Sequence, residues 1–170
     1  MIVTLIAILI TIILILLNGI FVAVEFAVVT SKRSKMEALA ETGDKSAKLA
    51  LNLMTNLPLS ISGAQLGITV TSLGLGLVAE PAFAKVIEHF ITEPLGMPKT
   101  LSHAIAFGFA LFIVVFMHMV MGEMVPKNLA LTNPETILCK VARPHRSFVV
   151  LFQPVIWFLN KVSSFLLKPF

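Results

Sequence analysis

The chain has 170 residues, 57% of them hydrophobic and only 13% charged, with a formal net charge of +4. Soluble domains carry about 25% charged residues, so the composition excludes a disordered chain, argues against a soluble enzyme and points to an integral membrane domain. The single cysteine, Cys139, excludes an intramolecular disulfide and a CxxC metal site, and the basic residues are scattered among apolar blocks, which leaves no nucleic-acid footprint.

Ile2 to Leu17 is apolar except for Thr4 and Thr11, and the run resumes after Asn18-Gly19 through Val29. At ~1.5 Å per residue this run crosses a ~30 Å hydrocarbon core with length to spare. It is not a signal peptide by pattern, because no Lys or Arg precedes Lys32 and the run is too long. Met36 to Met54 mixes apolar and charged residues as an amphipathic helical segment does, with a break at Thr42-Gly43.

Pro58 opens the second span. Leu59 to Ala79 has no charge, yet it carries Ser60, Ser62, Gln65, Thr69, Thr71 and Ser72 among Gly63, Gly67, Gly74 and Gly76. Small and polar residues of this kind line helix–helix contacts or a cavity rather than lipid. Glu80-Pro81 is expected to end that span, and a loop or short helix follows through His89, Pro94, Gly96 and Pro98. Leu101 to Met121 is the third span. Ser147 to Phe158 is short and interrupted by Gln153-Pro154, and it reads as an interfacial or re-entrant helix. The expected fold is therefore all-α and integral to the membrane, a single domain over residues 1–170. It has spans at about 2–29, 59–79 and 101–121, with juxtamembrane helices at about 34–54 and 135–168.

Orientation follows from where the basic residues fall. Lys32, Arg33, Lys35, Lys45 and Lys48 follow the first span; only Lys85 and Lys99 follow the second. Lys127, Lys140, Arg143, Arg146, Lys161 and Lys168 follow the third. The N-terminus is expected outside and the C-terminus in the cytoplasm. With no internal repeat and three spans, a transport pathway would need a second copy of the chain.

Two carboxylates fall at membrane depth, where a charge costs at least ~2.5 kcal/mol unless compensated. Glu123 follows Gly122 and precedes Pro126, which removes a helical hydrogen bond and frees a carbonyl. A carboxylate beside free backbone oxygens suits hard cations. The competing reading places Glu123 at the interface, paired with Lys127. Glu25 has the same two readings, with Lys32 or Arg33 as its interfacial partner. Asn18 either bonds across helices or lines an ion cavity. His118 stands alone among methionines, and its five-residue distance from Glu123 is not the spacing of a helical zinc pair. No GxSxG, HExxH or P-loop pattern occurs, so nothing points to an enzyme.

Three stretches resemble the transmembrane domain of the CNNM/CorC family of magnesium transporters. They are Asn18-Gly19-Ile20-Phe21-Val22-Ala23-Val24-Glu25-Phe26-Ala27-Val28-Val29, Gln65-Leu66-Gly67-Ile68-Thr69 with Ser72-Leu73, and Gly122-Glu123-Met124-Val125-Pro126-Lys127, which resembles the GE-x-x-PK motif. The resemblance implies a homodimer of three spans plus a helical belt, in the cell membrane. It implies Mg²⁺ export coupled to Na⁺ entry, and CBS domains in full-length members beyond the residues of this chain. It carries the metal ligands onto Glu123, Ser72 (where relatives often have asparagine) and Val22 (where many members have serine), and Asn18 and Gly122 join the candidate set from their own place in the pattern. Valine offers only its carbonyl, and only if the helix is broken near Asn18-Gly19. A cation-binding regulatory or structural module that moves no ion is the alternative, because binding and transport use the same residues.

Overall fold

The computed structural model describes residues 2–95 and 99–167, with side chains described for 2–88 and 100–167. Among these residues every element is helical: α1 Ile2–Thr30, α2 Arg33–Glu41, α3 Lys45–Thr55, α4 Leu57–Leu95, α5 Lys99–Met117, a π-helical segment His118–Met124, α6 Val125–Thr132 and α7 Pro134–Leu167. Gly96, Pro98 and Lys168, and the side chains of His89 and Pro94, lie outside the described residues.

Four helical stretches are long and apolar enough to cross a membrane: 2–30, 57–88, 100–132 and 134–167. The sequence pattern gives three, and the difference lies in its prolines. Pro81 falls inside α4 rather than ending it, and Pro144 and Pro154 fall inside α7, which runs as one helix through 147–158. A proline removes one helical hydrogen bond, and membrane helices tolerate the loss where neighbouring groups compensate. Pro58, by contrast, lies in the first turn of α4, where its missing N–H costs nothing. Asn18-Gly19 interrupts the apolar pattern only, and α1 continues unbroken across it.

The chain divides into two compact units. The first comprises 1–19 and 69–125. Its core is Ile15, Leu75, Ala79 and Val114, with Leu14, Phe83 and Met117 packed against them. Gly74 lets Leu14 approach, since a Cβ there would lie 3.2 Å from the leucine Cδ1.

The second unit comprises 20–68 and 126–170. α2 and α3 form a hairpin at the Thr42-Gly43 break; Gly43 has φ +93°, which favours glycine, and Asp44 caps α3 by accepting from the N–H of Ser46 at 2.7 Å. α3 packs on α7, and Ala27, Met36, Ala50, Leu53, Ala130, Leu138 and Ala142 share one core. The buried stripe of α7, Leu138, Ala142, His145, Val149 and Ile156, recurs at helical spacing. Glu135 in its first turn accepts from the backbone N–H of Lys32 at 3.1 Å.

Two glycines of α4 make close approaches in this unit. A Cβ on Gly63 would stand 2.5 Å from Val149, and one on Gly67 would stand 2.5 Å from the Phe21 ring. Gly67→Leu should therefore push Phe21 out of place, at a cost of at least ~1–3 kcal/mol for overpacking. The thermal midpoint in detergent should fall by several degrees; an unchanged midpoint would contradict the packing described. Gly76, expected to pack as closely, has nothing within 4 Å of its Cβ position.

Candidate functional site

Asn18 is fully buried and is the hub of the first unit. Its Nδ2 donates to the Gly122 carbonyl at 2.9 Å, and its Oδ1 accepts from Thr71 Oγ1 at 2.8 Å and from Ser72 Oγ at 3.4 Å. One amide thus ties α1 to α4 and to the π segment. Pro126 accounts for the acceptor: it has no N–H to give to the carbonyl four residues back, which is that of Gly122.

The π segment accounts for the rest. Its hydrogen bonds run from i to i+5, a pattern frequent at functional sites, and the N–H of Val125 bonds to the Val120 carbonyl accordingly. Residues five apart then share a face. His118 Nε2 lies 3.6 Å from Glu123 Oε1 and 3.3 Å from Ser72 Oγ. The imidazole stands between the one carboxylate and the nearest hydroxyl. The His118 side chain is 20% exposed and that of Glu123 47% exposed, so the carboxylate faces outward from a mostly buried polar cluster. Gly122 is buried, and a Cβ there would come within 2.9 Å of His118 Cδ2 and 3.3 Å of Asn18 Nδ2. Only glycine leaves both side chains where they are.

The structure therefore brings together four residues singled out in the sequence: Asn18, Ser72, Gly122 and Glu123. Val22 is not one of this group. It is buried in the second unit, and the unbroken α1 leaves its carbonyl in regular helix. Lys127, the expected interfacial partner of Glu123, has its ammonium 4.6 Å from the centre of the Phe26 ring in the second unit.

The family described as the cyclin M (CNNM) transmembrane N-terminal domain matches residues 9–170. The chain belongs to this family. Its relatives include UPF0053 protein YhdT of Bacillus subtilis, 44% identical over 148 residues, which are 87% of this chain and 32% of that protein. UPF0053 protein YugS of the same organism is 39% identical over 93% of this chain and 37% of its own length. The uncharacterized protein Rv1841c of Mycobacterium tuberculosis is 39% identical over 95% of this chain and 46% of its own length. The chain thus spans between a third and a half of the curated relatives it matches. Membership and the apolar helices together make this a multi-pass membrane domain.

Two members of the polar cluster escape sequence reading. Thr71 is buried while Thr69 is exposed, and α4 is apolar enough all round to hide which face turns inward. His118 is misjudged by α-helical spacing. The signal that finds it is Gly122-Glu123 followed by Pro126, which marks an irregular helix and so admits an i, i+5 pairing.

Proposed function

We propose that this domain moves a divalent cation across the membrane, specifically Mg²⁺ in the export direction, driven by Na⁺ entry, and that it works as a homodimer. The observation that carries this reading is the π segment, which sets His118 between the Glu123 carboxylate, at 3.6 Å, and the Ser72 hydroxyl, at 3.3 Å, and turns the Gly122 carbonyl to Asn18. Carboxylate, hydroxyl and amide oxygens are ligands for hard cations. Glu123 is the charged ligand, Ser72 supplies a neutral oxygen, and Asn18 with Gly122 supplies amide and carbonyl oxygens from the same cluster. One carboxylate under-neutralises a divalent ion, and a site that is net positive can release its cargo. In the arrangement described, His118 lies against both Glu123 and Ser72, so an ion bridging those oxygens requires the imidazole to turn aside. Membership of the family supports the reading.

The decisive experiment is Mg²⁺ efflux from proteoliposomes loaded with a fluorescent indicator, under an imposed Na⁺ gradient. Wild-type protein should carry flux that Glu123→Gln abolishes. Binding without flux in wild-type protein would instead favour a cation-sensing module.

For topology, we place α1, α4 and the α5–α6 stretch across the bilayer and α7 along the cytoplasmic face. The basic residues Lys140, Arg143, Arg146 and Lys161 of α7 support that placement. With Cys139 replaced, a cysteine at Thr42 should label from inside, as should one at Ser164, and one at Thr92 from outside. Outside labelling at Ser164 would make α7 a fourth crossing, and labelling of Thr42 and Thr92 from one side would remove the map altogether.

A further inference from the structure

Glu25 is the only formally charged residue in α1, a helix otherwise apolar enough to cross the membrane. A carboxylate in such a helix is costly unless something compensates it, and by default it marks a functional position. Of the two partners expected at an interface, Lys32 and Arg33, the second is engaged elsewhere. Arg33 bonds Glu37 at 2.9 Å, and the Lys127 ammonium sits over the Phe26 ring, next in sequence to Glu25. Among the described residues no cationic group lies within 4.0 Å of Glu25, whose recorded neighbour is neutral: Gln65 Nε2 donates to its Oε1 at 3.5 Å. Glu25 is half-buried and Gln65 exposed, so the pair is open to an ion.

We propose that Glu25, held by Gln65, is a second station for a hydrated hard cation of the Mg²⁺ class, separate from Glu123. The protein ligand is the Glu25 carboxylate, which Gln65 positions through its Nε2, and water completes the shell. A few protein oxygens are too few for Ca²⁺, which takes six to eight, whereas Mg²⁺ keeps several waters and binds through one or two carboxylates. Along α1, Glu25 follows Asn18 by two turns; along α4, Gln65 precedes Ser72 by two turns. Glu25 thus shares a stripe of α1 with Asn18, and Gln65 shares one of α4 with Ser72. The station lies toward the end of α1 that leads into Lys32 and Arg33, and with one carboxylate beside an exposed neighbour it holds its ion less tightly than the Glu123 cluster does. The proposal rests on the cation-transport reading above.

The test counts bound Mn²⁺, as a Mg²⁺ surrogate, by electron paramagnetic resonance on the full chain in zwitterionic nanodiscs. Wild-type protein should bind two ions per chain, both displaced by excess Mg²⁺. Glu123→Gln should retain the weaker ion and Glu25→Gln the tighter one. Gln65→Leu should weaken only the weaker ion, so the test survives if Glu25→Gln fails to fold. A single wild-type ion that disappears in Glu123→Gln and persists in Glu25→Gln would overturn the station and leave the transport reading intact. No Mn²⁺ bound by wild-type protein would overturn both.

Discussion

Glu123→Gln should weaken Mg²⁺ binding by well over tenfold, more than ~1.4 kcal/mol, while leaving the helices folded. The substitution keeps the shape and removes the charge. A unit charge pair at 4 Å is worth about 4 kcal/mol at an effective dielectric of 20, and a divalent ion doubles the attraction. The Glu123 side chain is 47% exposed, so solvent screening removes much of that, which is why the expected loss is a lower bound of tenfold and not several orders of magnitude. Ser72→Ala should cost less, because it deletes one neutral oxygen. Glu25→Gln should affect this tighter site least. Isothermal titration on the purified domain checks the order, and wild-type affinity in Glu123→Gln would remove the core of the reading.

The sequence makes the elements legible where one signal dominates. The apolar run to Val29 becomes α1, and Thr42-Gly43-Asp44 becomes the turn and cap between α2 and α3. It misleads where a proline has two meanings. Pro81 reads as a helix end because in water it usually is, yet α4 continues through it, and Pro154 reads as an interruption, yet α7 runs on through it. Much of the polar cluster is legible too, because Asn18, Ser72 and Glu123 are each out of place in a lipid-facing helix. Their mutual geometry is not, because it depends on the π register, which pairs His118 with Glu123 across five residues. Val22 lies in the same motif as Asn18, but α1 runs unbroken through both and keeps the Val22 carbonyl in regular helix.

Asn18→Ala should destabilise the domain by about 2 kcal/mol, because three hydrogen bonds across membrane helices are worth on average ~0.6 kcal/mol each. A second route gives a similar figure. The substitution strands the Gly122 carbonyl in a buried position, where an unsatisfied group costs about 1–3 kcal/mol. Thr71 and Ser72 lose their shared acceptor as well. Asn18→Asp separates clamp from ligand. It keeps an oxygen for the two hydroxyls but has no N–H₂ to offer Gly122, so a clamp role predicts lost stability even though a carboxylate would strengthen a cation site. Gly122→Ala attacks the same clamp from the other side, since its Cβ would press on His118 at 2.9 Å and on Asn18 at 3.3 Å. Both variants should lower the thermal midpoint in the absence of Mg²⁺. Added Mg²⁺ should restore more of the loss in Asn18→Asp than in Gly122→Ala, because ligand binding stabilises only the state that retains the site. A midpoint unchanged in all three variants would mean that Asn18 does not hold the π segment to α1 and α4.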